Sequence, residues 1–302
     1  MRASEKSLIS YIKTSLDGPV QPQAERLAKK LAGEFNGEVL AVLYYGSCLR
    51  TGKLEGLILD FYLIVGNYRK AYGSGGLALA NRVVPPNVFY REAKVGQAKL
   101  RAKIAVLSLE DFLFRTSEAC LNVSVWARFS QPSRLIYCRD KKTRAAILEG
   151  VTGAHLTMVS AAMPLLGAVK TPKEIWPFAL GLTYGAELRS EKKGKGLELY
   201  TVNKTYFDAV TPLVLKALGG HALASARANK WRWTKRRLNG KAVSLMRLIK
   251  ATFTFSGGID YLVWKIGRSS GITVTLKPWQ RRHPLIAGVF LFFQLRLKGA
   301  FR

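Results

Sequence analysis

The chain holds 302 residues, 48% of them apolar and 22% charged, which excludes wholesale disorder and suffices for one large domain or two moderate ones. Its 48 Lys and Arg against 19 Asp and Glu give a net charge of +29 and a pI of about 10.3, pointing to a polyanionic partner, either nucleic acid or an anionic membrane surface. Cys48, Cys120 and Cys138 have no CxxC or CxxH spacing, so neither a disulfide framework nor a structural zinc site is expected. The opening MRASEKSLISYIKTSLDG carries no long apolar run and no A-x-A site, so no secretory leader is expected.

Leu27, Ala28, Leu31, Ala32 and Phe35 recur at helical spacing and predict an amphipathic helix over residues 24–35. Val39–Tyr45 (VLAVLYY) is an apolar run that ends at Gly46-Ser47, the pattern of a buried strand entering a tight turn. Leu57–Val65 (LILDFYLIV) reads as a second buried strand, with two more at Lys103–Ser108 and Arg134–Tyr137. Residues 66–76, rich in Gly, Tyr and basic side chains, read as an exposed loop. From Leu109 the periodicity turns helical, with helices expected at 109–119, 141–149, 154–168, 173–189 and 204–218. Early strands followed by helices predict an α+β fold. The expected layout is a mixed-sheet lobe over 1–140, a helical lobe over 141–226 and a basic tail over 227–302.

That tail holds 17 Lys or Arg and one acid, Asp260, so +16 of the +29 lies in its 76 residues. Aromatic residues are interleaved, among them Trp231, Trp233, Phe253, Phe255, Trp264 and Trp279. Basic and aromatic side chains at this density read as a surface-association region for an anionic partner. No run reaches the roughly 20 apolar residues that cross a bilayer. Leu285–Phe293 could dip into one but is too short to span it.

The residues that invite chemistry begin with Gly46 and Ser47, followed by Asp60 inside the second apolar strand. A carboxylate within such a run is expensive to bury, and buried charges are paired or bound to metal. Gly-Ser after a strand, opening a helix, offers backbone N–H groups and a hydroxyl to a phosphate. The two together read as a phosphate cradle facing a metal carboxylate. The alternative is a structural Asp60 paired with a buried arginine. His155, His221 and His283 share no motif, which disfavours a catalytic triad or zinc site, and each reads as an ordinary surface or partly buried histidine. Tyr184 reads as a core residue on an apolar helix face.

Taken in order, YGS (45–47), LDFYLIV (59–65), VFY (88–90), LRAKIAVLS (100–108), WARFSQP (126–132) and GLTYGAELR (181–189) resemble the motifs of the mitochondrial-type phosphatidate cytidylyltransferases, the translocator assembly and maintenance proteins. The resemblance spans about residues 25–220 and implies a nucleotidyltransferase-like fold. It implies Mg²⁺ as cofactor and the synthesis of CDP-diacylglycerol from CTP and phosphatidic acid. Carried onto this chain, Gly46 and Ser47 would hold the CTP phosphates, joined by Arg128 and Arg189. Asp60, Lys103 and Glu187 would form the catalytic set, with Asp60 and Glu187 on the metal. Tyr62 stands where nucleotidyltransferases carry a second carboxylate, so another acid is needed; Glu110, Asp111 and Glu187 are candidates, and Glu187 is favoured. Two departures are Gln131 at a position usually Lys and a loop after Val65 without the family's His-containing stretch.

The expected protein is therefore a peripheral membrane enzyme on the cytoplasmic or matrix-side face of an inner membrane, with no stable nucleic-acid partner. The rival reading is a nucleic-acid-binding protein, or a nucleotidyltransferase acting on RNA ends, whose charge contacts phosphate backbones. No RRM signature or KH-type GXXG loop supports it.

Overall fold

The computed structural model describes residues 3–54, 56–96, 98–166, 171–187, 194–219, 225–254, 276–282 and 290. Helix α1 (Ala3–Leu16) buries Leu8, Ile12 and Leu16, one face at four-residue spacing. Helix α2 (Pro22–Ala32) starts with proline in its first turn, where no N–H is missed, and buries Ala24, Leu27, Ala28 and Leu31. Strand β1 (Val39–Tyr45) runs into Gly46 and the short helix α3 (Ser47–Thr51), and β2 (Ile58–Val65) follows. Residues 66–76 are not one loop: Asn67 accepts hydrogen bonds from the Arg69 and Lys70 amides and caps α4 (Tyr68–Tyr72), and α5 (Gly75–Val83) begins within the same stretch. A hairpin of β3 (Asn87–Val95) and β4 (Ala98–Ser108) comes next.

Ser108 then caps α6 (Leu109–Thr116) through the Asp111 amide. Short helix α7 (Trp126–Phe129) leads to β5 (Arg134–Cys138). The two helices expected at 141–149 and 154–168 are one, α8 (Lys141–Ala162), capped by Asp140; Gly150 and Gly153 are tolerated inside it because packing outweighs their propensity. Helix α9 (Pro172–Ala186) opens with a Thr171/Glu174 capping box, followed by α10 (Lys195–Val202), α11 (Lys204–Leu218), α12 (Ala226–Thr254) and the short α13 (Pro278–Arg282).

The five strands form one mixed sheet in the order β3-β4-β2-β1-β5. Strands β1 and β2 are antiparallel, β2 and β4 parallel, and the crossover between these parallel neighbours contains α4, α5 and β3. The fold is α+β, as the order of elements predicts. Alternation along the strands separates two cores. Leu59, Phe61, Leu63 and Val65 pack with α2 on one face, while Tyr62, Ile64, Ala105 and Leu107 pack with α1, α8, α9 and α11 on the other. Each fully buried Leu or Phe contributes about 1.5–3 kcal/mol by leaving water.

Helix α8 with the turn after it is long and apolar enough to cross a membrane by length and composition, which the sequence reading did not anticipate. Some 67% of that apolar window is buried among the other elements of the fold. Helix α12, which opens the 227–302 region, buries Asn229, Trp233 and Arg236 against the body. Trp233 Nε1 and Asn229 Nδ2 donate to the carbonyl of Ala161, at 2.8 and 2.6 Å. Arg189, His221, His283 and most of Leu285–Phe293 lie outside the described residues.

Candidate active site

The turn after β1 positions the first part of the site. Gly46 adopts φ +92° and ψ −162°, a conformation that only glycine takes without strain. A Cβ at this position would also stand 2.5 Å from Asp60 Oδ2. Asp60 is there because the β1–β2 register sets it opposite Tyr45, and the β2–β4 register sets it opposite Lys103. Helix α3 has only five residues, so the turn contributes its backbone and the Ser47 hydroxyl rather than a long helix dipole.

A cavity of about 280 Å³ opens over this turn, lined by Gly46, Ser47 and Asp60 together with Arg128 and Gln131 from the α7 region and Glu187 at the end of α9. Residues more than a hundred positions apart thus meet in one chamber. Glu187 follows the last turn of α9 and is the one carboxylate that joins Asp60 among the described lining residues. Glu110 and Asp111 are elsewhere: they line a different cavity, and Asp111 is taken up by the Tyr68 hydroxyl at 2.6 Å and the Arg115 guanidinium at 3.2 Å.

Among the described residues, no side chain forms an ion pair or hydrogen bond with the Asp60 carboxylate. Surrounding protein desolvates it and pushes its pKa above the usual carboxylate range, while Lys103, Arg128 and Arg50 pull the other way from a distance. A structural carboxylate would have a partner within reach. Arg128 instead lies over the rings of Tyr45 and Tyr62, 4.9 and 5.8 Å from their centroids, with Nη1 donating to the Tyr62 hydroxyl at 3.4 Å. Burial bears against the Arg128 charge, but the fields of Tyr45, Tyr62, Glu187 and Asp60 outweigh it and hold the guanidinium protonated.

The remaining expectations sort by position. Lys103 neighbours Asp60 across the ladder but lines an adjoining cavity with Arg128 and Glu187 rather than the one over Gly46. Gln131, in place of a lysine, donates to the Ala127 carbonyl at 2.8 Å and adds no charge. Tyr184 is half-buried: it packs against the core as expected, and it also lines the cavity. His155 is fully buried, held between the Val151 carbonyl and the Tyr206 hydroxyl, each at 2.8 Å, away from any chemistry. Arg50 and Lys195 also line the chamber and were missed, because a single basic residue in a chain this basic carries no signal.

The donor set fits a hard divalent cation: two carboxylates and a hydroxyl line one chamber, with Gly46 allowing the turn to approach Asp60. No group of three or more His, Cys, Asp or Glu clusters as a metal site among the described residues, so such a cation would complete its shell with water or substrate phosphate. No protein-family model matches this chain, and no curated protein matches it.

Proposed function

We propose that the protein is a CTP:phosphatidate cytidylyltransferase that makes CDP-diacylglycerol and pyrophosphate at an anionic membrane surface. The observation that carries this reading is Asp60, a desolvated carboxylate with no side-chain partner among the described residues, facing a cavity whose walls include Gly46, Ser47, Arg128 and Glu187. Such a group is poised for a cation rather than for structure. Nucleotidyl transfer to a phosphomonoester needs no side-chain base, since the acceptor is already ionised at neutral pH. It needs aligned groups and positive charge on a leaving pyrophosphate, which Arg128, Arg50 and Lys195 supply.

Asp60 and Glu187 would hold Mg²⁺, which when bound neutralises phosphate charge. Gly46 lets the turn lie close against the Asp60 carboxylate, and the Ser47 hydroxyl can donate to a phosphate oxygen in the chamber. Arg128 is held in place by the two tyrosine rings and meets the phosphates without reorganising. The choice of cytosine and of phosphatidic acid rests on the order of motifs from YGS (45–47) to GLTYGAELR (181–189). Radiolabelled CTP with phosphatidic acid vesicles and Mg²⁺ should yield labelled CDP-diacylglycerol. Equal turnover with ATP would overturn the cytidylyl assignment, and no lipid product with any nucleotide would overturn the reaction class.

A further inference from the structure

The chamber over Gly46 is not the only one at this site. A second cavity of about 250 Å³ adjoins it, sharing Tyr45, Ser124, Arg128 and Glu187 and adding Lys103 and Arg247. Its charged lining among the described residues is three cations, Lys103, Arg128 and Arg247, against Glu187. Pro86, Val88 and Ala105 supply an apolar wall. The balance favours an anion with an organic substituent.

Arg247 comes from α12, far from the motifs that suggest the reaction. Two features fix it. Gly240 lets α12 approach the end of α9 so closely that a Cβ there would stand 2.1 Å from the Ala186 carbonyl oxygen, next to Glu187. The guanidinium itself donates to the Pro85 carbonyl from Nε at 3.0 Å and Nη2 at 2.7 Å, and to Ser124 Oγ at 3.1 Å. These acceptors are neutral, so they orient the head without cancelling its charge. A half-buried cation held rigid by neutral partners is prepared for an anion that arrives from outside.

We propose that this second cavity is the acceptor subsite, taking the phosphomonoester to which the nucleotidyl group is transferred, with Arg247 as its anion-binding residue. This rests on the nucleotidyl-transfer reading for the reaction but not for the binding. A phosphomonoester oxygen here attacks the α-phosphorus of a nucleotide in the first chamber. The new P–O bond forms as the bond from the α-phosphorus to its bridging oxygen breaks, and pyrophosphate leaves with that electron pair. The dianionic acceptor supplies its own lone pair, so no proton moves. Arg128 and Glu187, common to both cavities, mark where the two substrates meet.

Calorimetric titration of the full-length protein with dihexanoyl phosphatidic acid, and separately with glycerol 3-phosphate, tests the subsite without turnover. Arg247→Gln keeps an amide that can donate to the Pro85 carbonyl but removes the charge. It should weaken phosphomonoester binding roughly tenfold to a hundredfold while binding of a non-hydrolysable CTP analogue stays unchanged. Ser244→Phe, which fills the cavity from α12 without altering charge, should weaken the same ligands. It decides the matter if Arg247→Gln fails to fold. Preference for the lipid over glycerol 3-phosphate would name a membrane acceptor, and equal affinity a soluble one. Unchanged phosphomonoester affinity in a folded variant, or loss confined to the CTP analogue, would overturn the subsite. Arg247-dependent phosphomonoester binding by a protein that forms no CDP-diacylglycerol would sink the proposed reaction and leave the subsite standing.

Discussion

The Asp60 carboxylate dictates that residue 46 be glycine: a Cβ at Gly46 would stand 2.5 Å from Asp60 Oδ2, and the backbone there has φ +92°. Gly46→Ala therefore imposes two penalties, strain of roughly 1–3 kcal/mol and a displaced carboxylate. A displacement near 1 Å in a positioned group can lower turnover about a hundredfold. The variant should melt a few degrees lower yet lose nucleotidyl transfer almost entirely. Wild-type turnover in Gly46→Ala would mean that the turn does not set the reacting geometry.

Asp60→Asn separates function from structure. Desolvation disfavours the Asp60 anion and no described partner offsets this, so the isosteric amide should leave stability at pH 7 unchanged or raise it. The sign follows from linkage: a carboxyl whose folded pKa lies above its unfolded value loses stability as pH rises through that window, and Asn removes the loss. Turnover should fall by roughly three orders of magnitude or more if the carboxylate holds a cation worth several kcal/mol in the transition state. A large drop in melting temperature would restore the structural ion-pair reading.

The β1–turn–β2 unit was legible because continuous apolar runs bounded by Gly-Ser leave little choice of element, and a lone Asp within such a run stands out by its desolvation cost. Strand β3 was not assigned: residues Arg91, Glu92 and Lys94 alternate with Ala93 and Val95 at the sheet edge, so its outer half lacks an apolar run. Helix α8 was split because Gly150 and Gly153 look like punctuation until Phe112 and Thr116 are seen packed against Gly150. Arg247 was invisible for a different reason. One arginine among nine Lys and Arg in α12 is singled out only by the tertiary contacts of its helix with Pro85 and Ser124.

His155 makes stability depend on acid. Burial lowers its pKa to about 4, from 6.5, so it is neutral in the fold and takes up a proton on unfolding between those values. Stability is complete above about pH 6.5 and declines as pH falls toward 4, by about 3 kcal/mol from this residue alone. Urea unfolding across that range should show the slope. His155→Gln, which retains one donor for the Val151 carbonyl or the Tyr206 hydroxyl, should flatten it; an unchanged slope would assign the acid sensitivity to other groups.

Arg236 is 1% exposed, and its guanidinium lies over the rings of Trp126 and Trp233, 5.6 and 5.0 Å from their centroids. Its Nε and Nη1 have no hydrogen-bond partner among the described residues, and burial lowers its pKa to about 10. Each unsatisfied buried donor costs roughly 1–3 kcal/mol, and a cation–π contact returns at most about 2. Arg236→Met fills a similar volume without the charge and should raise the unfolding free energy by about 1 kcal/mol. A destabilised Met variant would mean that the contact with the two tryptophan rings outweighs the desolvation.

The outer face of α12 exposes an apolar stripe flanked by cations. Trp231, Leu238 and Leu245, seven residues apart, form a stripe that is 63%, 68% and 54% exposed, with Lys230, Lys235, Arg237 and Lys241 beside it. Lys235 Nζ lies 5.5 Å from the Trp231 ring centroid, so charge and apolar area are presented together. Each Lys or Arg near an anionic leaflet contributes about 1 kcal/mol, so against such a leaflet these four would supply about 4, and the apolar stripe would add a contribution that salt does not screen. Removing residues 227–302 would test this poorly, since it strips Trp233 and Asn229 from the body. Replacing Trp231, Leu238 and Leu245 with serine leaves the buried face intact and should keep the melting temperature. The wild type should float with phosphatidic acid vesicles, release only partly in high salt, and stay with the vesicles when competitor RNA is added. The triple-serine variant should release fully in high salt. Full-length protein that leaves the vesicles for RNA would overturn the membrane reading in favour of a nucleic-acid partner.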